Sequence, residues 1–444
     1  MGADAWLRRE GCFTPGTPDW AYVPIDVPPG IGVLEVRCAY DRSPGNSLDL
    51  GVFDPAGHGP GGAGFRGWSG GARDRFTIAA GHATPGYLPG PITPGRWHVA
   101  LGPYTVAPHG LSWTLDVRLG AGAGVTPEPC PAPPRAAGRG AAWYRGDLHT
   151  HTVHSDGRRT PDELAAAAAD AGLDFIASTE HNTPSANLVW GRHTRPGLLV
   201  IPGTEATTRD GHMLALGLPP GGWAEWRHRA ADGALPGVAA GIRDGGGLAV
   251  AAHPHTTCLG CDWRFGYRDV DAVEVWNGPW GEDDEAALRT WDGLLRAGVR
   301  RPAVAGSDTH TPEQPVGSPQ TVVWAEELST SAVLAGIRAG RSYLAASRDI
   351  GVDLTVRADP AGEAAGPGRV LRLPPDTEVQ ARVEVGGVPY GEIALHTRDG
   401  PRVRSRGDGV VTWRGRAAEL GYVRAEIRHA GGMAALTNPV FVEA

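Results

Sequence analysis

The sequence predicts a multidomain α/β protein in which a barrel of alternating strands and helices is flanked by two β-rich portions. Three observations predict it. Apolar runs of strand length alternate with helical patterns from about residue 142 to 347, whereas both ends of the chain show only short runs broken by turns. The central strands end repeatedly in His, Glu or Asp. Ten of the sixteen histidines lie between His149 and His310.

The length of 444 residues exceeds what one core serves, so two or three domains are expected. A hydrophobic share of 41% and a charged share of 20% are those of a globular chain. The net charge of -8 argues against a nucleic-acid binder, whose affinity rests on neutralising phosphates. No apolar run is long enough to span a membrane. Met1–Gly11 lacks the apolar core of a signal peptide, so a cytoplasmic location is expected. A small-molecule partner is expected, and no oligomeric state is read.

Residues 1–120 read as a β-sandwich. Val33–Cys38, Leu48–Phe53, Trp97–Gly102 and Leu111–Val117 are short alternating runs, and Gly/Pro turns such as Pro94-Gly95 punctuate the region. His58, His82, His98 and His109 are scattered through this portion and read as structural or surface residues. Residues 121–141 are rich in Gly, Ala and Pro and read as a linker or wrapping segment.

The barrel, residues 142–347, opens on Asp147-Leu-His149-Thr-His151-Thr-Val-His154-Ser-Asp156. If Ala142 to His151 is a strand, its period of two puts His149 and His151 on one face, where two imidazoles suit a metal ion. The alternative is a pair of ordinary core or surface histidines. Thr160-Pro161-Asp162-Glu163 is a capping box with proline at the first helical position, and it predicts a helix from Pro161 to Ala171 that Gly172 stops. Leu173–Thr179 then ends in Glu180-His181-Asn182. Leu198–Gly203 ends in Thr204-Glu205, and a further strand, Met213–Leu218, follows His212. Gly247–Ala252 ends in His253-Pro254-His255. Ala272–Trp276 ends in Asn277-Gly278, and Pro302–Gly306 ends in Ser307-Asp308-Thr309-His310. In a (β/α) barrel such strand ends share one face, so residues far apart in sequence converge there.

Residues 348–444 return to β texture, with Val352–Val356, Val379–Val385 and Tyr422–Ile427 alternating cleanly. A small immunoglobulin-like sandwich is expected, and His396 and His429 receive no role. The five cysteines do not form a disulfide framework. Cys258-Leu-Gly-Cys261 has no second pair to complete a zinc site, which leaves plain thiols or one local bridge.

The motifs DLHTHTVHSDG (147–157), STEHN (178–182), GTE (203–205), GH (211–212), AHP (252–254) and GSDTH (306–310) resemble those of the polymerase-and-histidinol-phosphatase (PHP) family, in the family's order. Within it, the Thr-Glu-His-Asn form and the flanking β domains are similar to the carbaryl-hydrolase-like (CehA/McbA) group. The resemblance runs from Asp147 to His310, and no specific motif covers residues 1–140. It implies a distorted (β/α)7 barrel holding two or three divalent metals. Carried over by position, His149, His151, Glu205 and Asp308 would bind the first metal. Asp156, His181 and His310 would bind the second. Glu205, His212 and His253 would bind the third, with Glu205 bridging. Many relatives have a histidine at the position of Asp156, and the Ser-Asp-Gly form here matches the branch that uses aspartate.

A nitrogen and oxygen ligand set without cysteine suits Mn, Fe or Zn. Such a site lowers the pKa of a bound water and clamps oxygens on which charge develops. The function expected is therefore metal-dependent hydrolysis of a small phosphoester by a metal-bridging hydroxide, oriented by Asp308 or Glu205. One alternative is a carboxylic ester or carbamate hydrolase of the carbaryl-hydrolase type, and another is a metal-stabilised binding protein without catalysis. His154 and His255 are candidates to protonate the leaving group, against an equal reading as supporting or solvent-exposed histidines. Glu180 and Asn277 are candidates to orient ligands. Arg192, Arg195 and Arg264 lie in loops that can overhang the site, although each alone reads better as surface. Trp190, Trp223, Trp226, Trp263, Trp276 and Trp280 are candidate pocket walls, and more commonly such residues are core.

Overall fold

A computed structural model describes residues 6–122, 124–358, 362, 364–407 and 409–444. The N-terminal portion holds eight strands: β1 (Trp6–Phe13), β2 (Ala21–Val27), β3 (Val33–Tyr40), β4 (Ser47–Phe53), β5 (Phe65–Gly70), β6 (Arg75–Ala79), β7 (Gly95–Thr105) and β8 (Leu111–Gly120). They pair antiparallel in two four-stranded sheets, ordered β1-β8-β3-β6 and β2-β7-β4-β5. Leu34, Val36 and Cys38 alternate inward from β3, and Leu48, Leu50 and Val52 do so from β4. The second sheet is buried on its other face as well. There Phe53, Phe65, Trp68 and Ala100 pack with Met213, Trp226 and Trp263 of the central portion. This double burial leaves β4, β5 and β7 buried along most of their lengths rather than at every second residue.

The central portion carries β9 (Ala142–Asp147), β10 (Phe175–Ser178), β11 (Leu199–Thr208), β12 (Gly211–Leu216), β13 (Leu248–Ala252), β14 (Ala272–Asn277), β15 (Ala303–Gly306), β16 (Gln320–Ala325) and β17 (Ser342–Ala345). Their order in the sheet is β15-β14-β13-β12-β11-β10-β9-β16-β17. Four α-helices are described: α1 (Pro161–Asp170), α2 (Leu235–Asp244), α3 (Glu282–Arg296) and α4 (Thr330–Arg338). Helix α1 starts on the expected capping box, with Thr160 and Glu163 bonding reciprocally. Among the described residues, no helix is long and apolar enough to cross a membrane.

This is a mixed α/β arrangement dominated by sheet, with fewer helices than the strand–helix alternation of the expected distorted (β/α)7 barrel. Strands β11 and β12 are antiparallel, as are β12 and β13, and β16 runs antiparallel to β9. The cause is local. Arg209 and Asp210 alone separate β11 from β12, which makes a hairpin and leaves no room for a helical crossover. The sheet curls around one core that includes Phe175, Leu214, Val250, Val304 and Val323. No ladder joins β15 to β16 among the described residues. Instead the Thr321 hydroxyl meets the backbone N–H and C=O of Ala305, each at 2.8 Å.

The C-terminal portion is joined to this sheet. Strand Gly432–Thr437 pairs with β17, Tyr343 opposite Thr437 and Ala345 opposite Ala435. A second sheet built on Gly351–Ala358, Glu378–Gly386 and Gly409–Arg416 shares a core with that arm. The expected sandwich boundary near residue 348 is therefore crossed by backbone hydrogen bonds.

Arg227 fastens the N-terminal sandwich to the centre. It donates to the Tyr22 hydroxyl at 2.8 Å and the His58 carbonyl at 2.7 Å, pairs with Glu225 at 2.7 Å and lies over Phe53. Arg227→Ala should destabilise the protein by ~3 kcal/mol, because Glu225 stays buried without its cation. Arg8→Ala, at the exposed Arg8–Asp116 pair, should leave the urea midpoint nearly unchanged. Equal effects of the two substitutions on urea unfolding would contradict this role for Arg227.

Candidate metal centre

Strand β9 stops at Asp147, so His149 and His151 lie beyond it and not within a strand reaching His151 as expected. Asp147 organises the turn instead. Its carboxylate accepts from the Ser307 N–H at 2.9 Å, the Ser307 hydroxyl at 2.5 Å, the Gly317 N–H at 2.8 Å and the His149 N–H at 3.2 Å. The ends of β9 and β15 are thereby drawn together. Gly306 is required there, since a Cβ would stand 2.4 Å from the His149 Cβ. Three non-glycine residues take positive φ at this centre: Asn182 (55°), His253 (23°) and Asp308 (50°). Backbone held in that region is characteristic of sites whose surroundings over-determine them. Asn182 is held by its carbonyl oxygen, which accepts from the Thr207 N–H at 2.8 Å.

Around this frame the nine candidate ligands converge. His149 Nε2 lies 3.2 Å from Glu205 Oε2 and 3.3 Å from Asp308 Oδ1. His151 Nε2 lies 3.4 Å and 3.0 Å from the same two oxygens. Glu205 divides its oxygens. Oε2 faces His149, His151 and His181, and Oε1 faces His212 at 2.9 Å and His253 at 3.1 Å. At the rim, Asp156 reaches His181 at 3.6 Å and His310 at 3.4 Å. Four overlapping groups result: His149, His151 and Glu205; His149, His253 and Asp308; Glu205, His212 and His253; and Asp156, His151, His181 and His310. His151 thus also stands with the residues assigned above to the second metal.

These residues fit a cation. His149 Nε2, His151 Nε2, Glu205 Oε2 and Asp308 Oδ1 are all buried without a hydrogen-bond partner. Buried polar atoms are ordinarily satisfied, so four orphans facing one another call for a shared partner. Ligand atoms ~2.1 Å from one ion stand ~3.4 Å apart in a tetrahedron and ~3.0 Å apart in an octahedron. The four separations above span that interval.

The electrostatics have the same origin. Burial disfavours charge on Glu205 and Asp308, yet the surrounding histidines outweigh it and hold both carboxyls well below their ordinary values. His149 and His151 share these carboxylates but move in opposite directions. At His149 burial is overcome by Asp308, Glu274 and Glu205, and the pKa rises well above normal. At His151 burial, joined by His310 and His181, prevails and the pKa falls to about 4. Burial at His181 is overcome by Glu205 and Asp156, and its pKa rises to about 10.

Two sequence candidates are not brought to the cluster. His154 turns to the Ser185 hydroxyl at 2.8 Å, and burial lowers its pKa to about 4. Its ring is thus engaged with Ser185 rather than with the cluster. His255 Nε2 pairs with the Thr290 hydroxyl on α3 at 2.7 Å. Arg195 pairs with Asp162, Arg264 with Asp262, and Arg192 with the Glu128 carbonyl. Trp190, Trp226, Trp263 and Trp276 are buried in core clusters. Glu180 braces the first loop, accepting from the Thr152 and Ser155 hydroxyls at 2.5 and 2.6 Å. Asn277 reaches the ligands through Glu274, donating to it at 3.1 Å. The CxxC cysteines are disulfide-bonded to each other.

Glu274 and Thr207 escaped the sequence reading. Glu274 is fully buried, pairs with His149 Nδ1 at 3.1 Å and accepts from the His253 N–H at 2.9 Å. It therefore fixes which His149 nitrogen faces the cluster. Thr207 Oγ1 pairs with His181 Nδ1 at 2.6 Å. A single acid inside Val273-Glu274-Val275 was the available signal.

No protein-family model matches the chain, and no curated protein matches it. Among solved structures it is similar to a two-domain protein from Bacteroides vulgatus ATCC 8482 containing a predicted PHP-like metal-dependent phosphoesterase. That match has 14% identity and a TM-score of 0.39, and covers 73% of this chain and 100% of that one. It is also similar to an amidohydrolase from Chromobacterium violaceum with bound sulfate and no metal. The identity there is 20% and the TM-score 0.30, with 39% of this chain and 89% of that one covered. Function is therefore derived from the residues themselves.

Glu274→Gln keeps the shape but loses the carboxylate that orients His149. Affinity for Mn or Zn, read by titration calorimetry, should fall about 10- to 100-fold while the fold persists. Unchanged affinity would remove Glu274 from the centre.

Proposed function

We propose that this chain is a metal-dependent phosphoesterase that acts on a small molecule. The observation that carries the reading is the set of four orphaned buried atoms, from His149, His151, Glu205 and Asp308, facing one another at 3.0–3.4 Å. Two or three ions of the Mn, Fe or Zn kind would be held by these residues together with Asp156, His181, His212, His253 and His310. The PHP signature order supports the same assignment, and a curled PHP-type barrel is the architecture it implies. Bound divalent ions would supply an activated water near neutral pH and neutralise charge on phosphoryl oxygens.

The chain's own residues set the rest. Glu205 presents one oxygen to each of two groups, which suits adjacent ions clamping a group with several oxygens. A phosphoryl group has three equatorial oxygens to be clamped, whereas a carboxylic ester or carbamate offers one carbonyl oxygen. Asp308 and Glu205 remain the residues that orient the attacking water. Asp156, His181, His310 and Asp308 are the partly exposed members and mark the side from which substrate would arrive.

Protein purified without chelator should contain two to three equivalents of Mn, Fe or Zn by elemental analysis. His149→Ala and Asp308→Ala should lose most of that metal. The loaded protein should hydrolyse p-nitrophenyl or bis-p-nitrophenyl phosphate ahead of aryl esters and carbamates. Hydrolysis of the carbonyl substrates alone would reassign the chain to the ester and carbamate class. Folded protein that takes up no metal would end the hydrolase reading.

A further inference from the structure

The N-terminal sandwich supplies part of the wall facing the metal centre. Along β4, Leu48, Leu50 and Val52 point into the sandwich, so Asp49, Gly51 and Phe53 point to the central portion. Gly51 admits Trp68, whose ring would lie 2.3 Å from a Cβ at that position. Beside them a cleft of about 200 Å³ opens, bounded by Asp49, Trp68, Tyr104 and the Gly70-Gly71 turn on one side. Asp156, His181 and His212 of the metal centre bound the other side.

Asp49 is the one carboxylate that the sandwich contributes to this cleft. Its Oδ2 lies 3.3 Å from Arg209 Nη2, in the hairpin between β11 and β12. Arg209 is 8% exposed, stacks over Tyr104 at 3.8 Å and Trp20 at 4.8 Å, and its guanidinium nitrogens make no hydrogen bond among the described residues. Asp49 Oδ1 also takes no hydrogen bond from them, and Gly70 and Gly71 stand beside it. A Cβ at Gly70 or Gly71 would stand 3.7 or 3.9 Å from it. Beside the metal centre there is thus an acceptor with an open lone pair, backed by a buried arginine that does not itself line the cleft.

We propose that Asp49, with Arg209 behind it, reads hydroxyl groups on the organic part of the substrate, so that the preferred substrates are phosphoesters of polyols or sugars. This rests on the phosphoesterase reading of the metal centre. A hydroxyl donates to the open Asp49 oxygen, while the buried Arg209 holds the carboxylate in place. An apolar group would leave that oxygen unmet, and an ammonium would face the arginine charge. The Trp68 ring adds a surface for the C–H face of such a molecule. The cleft is smaller than the ~300–1,000 Å³ typical of sites for drug-sized ligands, which limits the group to about the size of one sugar.

The test uses the metal-loaded full chain with glycerol 3-phosphate, glucose 6-phosphate and p-nitrophenyl phosphate, comparing Asp49→Asn and Gly71→Val with the parent. Gly71 does not take a positive φ, so valine fills the open side of Oδ1 without touching the Asp49–Arg209 pair. The ratio of kcat/KM for the polyol phosphates over the aryl phosphate should fall about 10- to 100-fold in both variants. Saturation-transfer NMR with free glycerol and glucose gives a readout independent of turnover, and the parent's signal should disappear in both. A parent that prefers the aryl phosphate, or variants that slow all three substrates alike, would overturn the subsite and leave the phosphoesterase standing. No hydrolysis of any phosphoester, with polyol transfer still lost in the variants, would keep the subsite and remove the phosphoesterase reading. Neither hydrolysis nor transfer would overturn both.

Discussion

Everything about the centre of this molecule depends on Glu205. Its carboxylate is fully buried and lies within 3.4 Å of five imidazoles contributed by four chain segments. A lone carboxylate in that position carries a heavy desolvation penalty, and neutral imidazoles alone repay little of it. Protons or metal ions must supply the missing positive charge. The opposed pKa directions of His149 and His151, the orphaned nitrogens and the strained backbone of Asp308 and His253 all express that demand.

The architecture meets it by bringing strand ends together. The curled sheet places the ends of β9, β10, β13 and β15 around one mouth, and Asp147 ties the first to the last. The hairpin β11–β12 replaces a helical crossover and lets Glu205 and His212 meet across adjacent strands. The same hairpin carries Arg209 outward to Asp49. One local departure from a regular barrel therefore serves both the metal centre and its junction with the sandwich.

Much of the cluster was legible because apolar strands ending in His, Glu or Asp leave few ways to place those groups except together. The nine candidate ligands came from the resemblance to the PHP motifs, and the strand-end pattern pointed to their convergence. Other features depend on packing that sequence does not encode locally. His154 and His255 sit among ligands in sequence, but Ser185 and Thr290 decide where their rings point. Glu274 received no role because it stands inside an apolar strand rather than at its end, and only the packing of β14 on both faces shows that it is buried beside His149. Asp49 was invisible for a related reason, since an outward residue of a sandwich becomes a site residue only once the other domain is docked. The pairing of β17 with Gly432–Thr437, about ninety residues away in the chain, was not legible either, because a long-range strand pairing leaves no local signal.

The most direct test is anomalous diffraction from crystals of metal-loaded protein, recorded at the Mn, Fe and Zn absorption edges. The account predicts two or three peaks, one of them within bonding distance of His149 and His151, and Glu205 shared between two. A map without a peak there, with the His149 and His151 rings turned to hydrogen-bond water, would contradict it.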